Sequence, residues 1–179
     1  MDRFMTIKIR PEFELDRIRN SWKISDEGIL MWISGFKTGK PVSVQTTKKE
    51  HQTCYLQVDG KLKGYSVGQV AWYLYHGEWA TQEIDHIDCN PKNHKKDNLR
   101  LATRSEQCRN RISGKAGRPN KGVYKREYGN RWSAQIWVDG VCKNLGTYSS
   151  EDEAIEVREL ATMMLHGDFA NTKSYRVGV

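Results

Sequence analysis

The chain has 179 residues, 37% of them hydrophobic and 28% charged, with a formal net charge of +7. That length accommodates one compact domain or two small ones with real cores. No apolar run approaches the ~18–20 residues of a membrane span, and residues 1–8 lack an apolar leader core, so neither a membrane role nor export is expected and a cytoplasmic location is.

Residues 1–24 are charged and weakly patterned, an arm with at most a short helix. Residues 28–64 read as strands, among them Ile29 to Ile33 and Cys54 to Val58, with Asp59-Gly60 as a hairpin turn. Val67, Val70, Ala71 and Leu74 then form the stripe of an amphipathic helix, and Gly77 suits its C-terminal cap. Ile84 to Ile87 fits a short strand, Asp88 to Asn93 a loop, and Leu99 to Ala102 a second short strand. Thr103 and Glu106 have capping-box spacing, which predicts a helix to about Arg111 with Gln107 and Asn110 on one face. Strand, loop, strand and helix make a small ββα unit.

Residues 113–120 hold two Gly, one Pro and two basic residues and read as a linker. Beyond it come three strand-like runs, Gly122 to Arg126, Arg131 to Val138 and Val141 to Tyr148, with turns at Gly129-Asn130 and Asp139-Gly140. Ser150 and Glu153 form another capping box, opening a helix whose stripe is Ala154, Val157, Ala161 and Leu165. The predicted class is α+β: strands and a helix leading into the ββα unit, then a three-stranded antiparallel sheet with one helix.

The charge is concentrated. From Arg104 to Arg131 there are nine basic residues (Arg104, Arg109, Arg111, Lys115, Arg118, Lys121, Lys125, Arg126, Arg131) against Glu106 and Glu127. Such a stripe is the footprint of a polyanion binder. Cys54, Cys89, Cys108 and Cys142 form no C-x-x-C pair and read as free thiols, a zinc site on Cys89, Cys108 and a histidine being the alternative use.

Asp85-His86 followed by Asn90, Asn93 and Asn98 is the chemically telling segment. Phosphodiester hydrolysis needs an activated water and charge stabilisation at phosphorus and at the departing 3′ oxygen. Asp85 offers hard oxygen to a divalent cation, and a carboxamide from the following helix can complete a sparse protein shell. His86 is the candidate general base, and Asn98 suits bridging backbone groups across the loop. His51, His76, His94 and His166 lack such a setting and read as surface or core histidines, with His94 close enough in the loop to approach phosphate.

These residues, with Thr103, Ser105, Glu106 and Asn110, resemble the HNH endonuclease family in its phage-type, homing form, over about residues 25–112. The resemblance implies a ββα-metal site with His86 as general base, Asp85 as metal ligand and Asn98 as structural asparagine. It also implies one divalent ion, Mg²⁺ or Mn²⁺, and no small-molecule cofactor. Gln107 stands where the family usually has Asn as second ligand; it keeps the amide oxygen one methylene further out, and Asn110 is the stand-in. Cys89 stands where the family usually has Gly and is expected to strain its turn.

Residues 121–172 resemble the APETALA2-type DNA-binding domain at Gly122-Val-Tyr124, Arg131-Trp132, Ala134, Ile136, Leu145 to Tyr148 and Leu165 to Asn171. In that family the sheet enters the major groove. Strand alternation assigns the exposed face to Tyr124, Arg126, Arg131, Gln135, Trp137 and Lys143, with Trp132, Ala134 and Ile136 beneath. Arg104, Arg109 and Arg111 join them as expected DNA contacts. The expected protein is a two-part endonuclease on double-stranded DNA, monomeric or weakly dimeric: arm 1–24, nuclease domain 25–112, linker 113–120, DNA-binding domain 121–172 and tail 173–179. A phage origin would place it in the host cytoplasm. The alternatives are a DNA-binding regulator with a degenerate HNH centre and, further off, a nuclease acting on RNA.

Overall fold

The computed structural model describes residues 9–48, 50–110 and 122–170. The chain is α+β and divides into two compact units, one up to Thr103 and one from Arg104. The expected linker 113–120, the tail 173–179 and Arg111 lie outside the described residues.

The first unit begins with α1 (Glu12–Arg19), followed by β1 (Trp22–Ile24) and β2 (Leu30–Trp32), which pair antiparallel. The expected arm is corrected here. Leu15, Ile18 and Trp22 are buried in the hydrophobic core, and Glu14, only 5% exposed, accepts hydrogen bonds from Lys63 Nζ at 2.6 Å and Tyr65 OH at 2.9 Å. Burying these apolar side chains stabilises the fold by about 1.5–3 kcal/mol each, and the charge-poor positions that do so are too few to stand out in a strongly charged segment.

β3 (Val44–Thr46), β4 (Gln52–Val58) and β5 (Lys61–Ser66) form an antiparallel sheet in chain order. Cys54, Leu56 and Val58 alternate inward along β4 while Tyr55 and Gln57 stay exposed, the pattern of a strand with one covered face. Asp59 (φ 50°) and Gly60 (φ 72°) both take left-handed conformations, which turns the chain back with Val58 opposite Lys61. α2 (Val67–His76) buries Val67, Val70, Ala71 and Tyr73 and ends at Gly77 in the left-handed conformation, its N–H on the Tyr73 carbonyl at 2.8 Å. β6 (Glu83–His86) and β7 (Leu99–Ala102) then pair antiparallel.

The second unit opens with α3 (Arg104–Asn110), so the division into compact units falls inside the expected strand–loop–strand–helix succession. β8 (Val123–Lys125), β9 (Trp132–Val138) and β10 (Val141–Tyr148) form an antiparallel sheet with β9 central. α4 (Glu151–His166) starts with the expected capping box between Ser150 and Glu153. Its buried positions are Ala154, Arg158, Ala161, Thr162 and His166. Leu165, expected on that stripe, is 39% exposed. The last turn instead points His166 inward, with Nε2 3.2 Å from the Trp137 carbonyl oxygen. Among the described residues no helix is long and apolar enough to cross a membrane.

Candidate active site and nucleic-acid interface

β6 and β7 carry the site in register: Asp85 lies opposite Arg100 and His86 opposite Leu99. The loop between them is held by carboxamides. Asn98 accepts the Asp88 N–H on Oδ1 at 3.0 Å and donates through Nδ2 to Asp88 Oδ1 at 2.9 Å and to the Asn93 carbonyl at 2.8 Å. Asn93 Nδ2 donates to Asp88 Oδ2 at 2.8 Å, and the Asn90 N–H donates to Asp88 Oδ1 at 2.8 Å. Burial raises the Asp88 carboxyl, but these bonds from Asn93, Asn90 and Asn98 outweigh it and leave the group below its usual value. Cys89 sits at φ 62°, the left-handed conformation that a glycine would take without strain.

Asp85 is 9% exposed; Arg100 donates from Nε to its Oδ2 at 2.8 Å, and Nη2 lies at ion-pair distance, 2.8 Å, from the same oxygen. His86 meets a partner the sequence reading did not assign. Its Nε2 lies 3.2 Å from Nδ1 of His94, whose own Nε2 lies 2.9 Å from Gln52 Oε1. His94 is 3% exposed, a buried member of the site rather than a phosphate contact. Burial pushes the His86 imidazole below its ordinary 6.5 against the raising influence of Asp88 and Asp85. Burial also takes His94 down, to about 4. Both rings are therefore neutral at physiological pH, the form in which an imidazole accepts a proton.

A divalent cation fits this donor chemistry. Asp85 supplies a hard carboxylate on a strand, and Arg100 tempers rather than removes its charge. Among the described residues no three His, Cys, Asp or Glu side chains are grouped to hold a metal, so an ion here would be held by few protein ligands and the zinc alternative gains no cluster. Gln107 and Asn110 lie on α3, Gln107 partly exposed and Asn110 only 4% exposed.

Of the missed residues, Arg100 had a signal: two short strands in antiparallel register place it opposite Asp85. His94 and Gln52 had none, because their contact joins a strand and a loop far apart in sequence.

In the second unit, β8 pairs Tyr124 with Ser133, and the backbone N–H of Arg126 meets the Arg131 carbonyl at 2.8 Å. Tyr124, Arg126, Arg131, Gln135 and Trp137 thus share the face expected of them, and Tyr124 OH donates to Gln135 Oε1 at 3.4 Å. Lys143 does not. It pairs with Ile136, which is 1% exposed, so its side chain leaves the sheet on the covered side. The reason is the two-residue turn Asp139-Gly140, which sets Val138 opposite Val141 and hence Trp137 opposite Cys142. β10 therefore gives the open face Cys142, Asn144 and, past a bulge between Asn144 and Gly146, Thr147, whose hydroxyl accepts from Arg126 Nη1 at 3.4 Å. Arg109 is ion-paired with Asp139 at that turn, whereas Arg104 is exposed.

Comparison with known proteins places these observations. Residues 65–109, from the end of β5 into α3, match the family model described as HNH endonuclease. An uncharacterized HNH endonuclease, L560, of Acanthamoeba polyphaga mimivirus is 28% identical over 141 residues, which are 78% of this chain and 64% of that relative's length. A solved structure described as DNA binding and cleavage by the HNH homing endonuclease I-HmuI aligns at 21% identity and a TM-score of 0.42, covering 82% of this chain and 85% of that one. The family match lies over α2, β6, the carboxamide-held loop and β7, so this stretch of the chain is similar to the HNH endonuclease family.

Proposed function

We infer that the protein is a metal-dependent DNA endonuclease that hydrolyses phosphodiester bonds by a one-metal HNH mechanism, with its second unit acting as a DNA-binding module. The observation that carries this reading is the pairing of Asp85 and His86 at the end of β6, where Asn98 and Asp88 clamp the loop that follows. His86 takes a proton from water, the resulting hydroxide forms a bond to phosphorus, and the bond from phosphorus to the 3′ oxygen breaks. Asp85 would hold the ion, with Gln107, or Asn110 one turn along α3, as amide donor. When bound, Mg²⁺ or Mn²⁺ offsets the negative charge that builds on phosphorus and the departing oxygen. Asn98 keeps the loop, and so the base, in place.

Double-stranded DNA lies on the open sheet face through Tyr124, Arg126, Arg131, Gln135 and Trp137, with Arg104 reaching phosphate. Incubation of supercoiled plasmid with the protein in Mg²⁺ or Mn²⁺ should give nicked or linear product, and EDTA should abolish it. Gln107→Asn restores the usual family ligand and should cleave at least as fast as wild type; a sharp loss would show that the site has adapted to Gln107, or that Asn110 holds the metal alone.

One observation favours a second reading, a DNA-binding protein that does not cut: Arg100 holds Oδ2 of the carboxylate on which the metal depends. Plasmid that is retarded in a gel but never cleaved with either metal would establish that alternative.

A further inference from the structure

The His86 imidazole meets the side chain of His94, which Gln52 meets in turn. His94 comes from the β6–β7 loop and is 3% exposed, and Gln52 opens β4. The three groups form one line: His86 Nε2 to His94 Nδ1 at 3.2 Å, then His94 Nε2 to Gln52 Oε1 at 2.9 Å. The backbone behind His94 is closely packed, since a Cβ on Gly28 would come within 2.6 Å of the His94 carbonyl carbon. Gly68 of α2 backs both rings, its Cβ position lying 3.8 Å from His86 Cε1 and 3.8 Å from His94 Nδ1.

The direction of this line is fixed at its far end. A carboxamide oxygen only accepts, so His94 carries its proton on Nε2. Neutral His94 then has a lone pair on Nδ1, which also only accepts. His86 must donate through Nε2, and its own lone pair is left on Nδ1. An isolated imidazole divides itself between two tautomers; one whose Nε2 faces a committed acceptor does not.

We propose that His94 and Gln52 are positioning residues that hold His86 in its Nε2–H tautomer and so select Nδ1 as the nitrogen that receives the proton from water. The functional half of this statement rests on His86 being the general base, whereas the tautomer does not. A merely space-filling His94 would be replaceable by any ring of similar size, but a positioning His94 is replaceable only by a side chain that keeps an acceptor toward His86.

The test uses the full-length, metal-free protein labelled with ¹⁵N. Two-bond proton–nitrogen spectra of the imidazoles, recorded where both rings are neutral, should show His86 protonated on Nε2 and unprotonated on Nδ1. His94→Phe removes the acceptor, and Gln52→Leu leaves His94 free to reverse its own tautomer. Either change should move the two His86 nitrogens toward averaged shifts, while His94→Gln, which keeps an acceptor oxygen, should leave them near wild type. Plasmid cleavage should lose about 10–100-fold in kcat in His94→Phe and Gln52→Leu at unchanged KM for DNA, the usual range for partners that orient a reactive imidazole, with recovery in His94→Gln. A wild-type His86 protonated on Nδ1, or an unaltered His86 tautomer in both Gln52→Leu and His94→Phe, overturns the proposal. Protein with the expected tautomers that cuts no DNA with any metal overturns the endonuclease reading and leaves the tautomer assignment standing.

Discussion

A general base is useful only if it is neutral when the substrate arrives, and burial arranges this for His86 more strongly than the nearby carboxylates oppose it. The sign of the resulting pH dependence follows. The ring is competent above its folded pKa and loses activity as pH falls through it, so the acid limb of cleavage should lie below 6.5, and titrating plasmid cleavage downward from neutral pH checks this. His86→Ala should slow cleavage by at least ~10²-fold above the acid limb while leaving DNA retardation intact, because the base acts on water and not on binding. Unaltered cleavage would remove His86 from the mechanism. Asp85 poses a different residue-scale question, since its partner Arg100 is itself a cation. Arg100→Leu strips the counter-charge from a mostly buried carboxylate and should cost about 3 kcal/mol of stability without metal. Mg²⁺ should then raise the melting temperature more in the variant than in wild type, because the ion no longer competes with a guanidinium. Equal shifts in the two proteins would show that Asp85 is not where the ion binds.

At the scale of elements, the legible parts were those whose signal is local. Asp59-Gly60 and Asp139-Gly140 announce hairpins because both residues of such a turn need positive φ, and the Ser150–Glu153 box announces a helix start because it satisfies exposed backbone donors. Asp85, His86 and Asn98 were legible as a site because they fall within one short stretch whose spacing matches a family pattern. The rest depended on contacts between distant segments. Nothing near Gln52 marks it as a partner of His94, and Leu15, Ile18 and Trp22 reveal their burial only when the sheet is there to cover them. Lys143 is the instructive case: the two-residue turn already determined its register, and strand alternation counted without that turn put it on the wrong face. The loop between β6 and β7 holds one residue that its conformation does not favour, Cys89 at φ 62°. Cys89→Gly should therefore stabilise the protein by about 0.5–1 kcal/mol, the relief of a left-handed side-chain clash less the entropy that glycine loses on folding. A urea midpoint at or below that of wild type would mean that the Cys89 side chain contributes packing which offsets the strain.

For the whole molecule the decisive quantity is where the charge sits, because +7 spread evenly would favour no surface over another. Nine of the basic residues fall between Arg104 and Arg131 with only Glu106 and Glu127 among them, so the field is centred on the second unit and on the segment leading into its sheet. Not all of that charge is available: Arg109 is paired with Asp139, whereas Arg126 and Arg131 are exposed on the open face that also carries Trp137. Each phosphate neutralised by a basic side chain contributes about −0.9 to the slope of log affinity against log salt. Replacing Arg126 and Arg131 together with alanine in the full-length protein should thus make the slope shallower by about 1.8, with the largest loss of affinity at low salt. Trp137→Ala should weaken binding by a similar factor at every salt concentration, since an aromatic ring releases no counterions. Lys143→Ala, on the covered side of the sheet, should alter the slope by less than half as much as the double arginine variant. Fluorescence anisotropy with a labelled duplex across a salt series measures all four proteins. If the double arginine variant keeps the wild-type slope while Lys143→Ala flattens it, DNA does not lie on the open face, and the orientation assigned to the sheet is wrong.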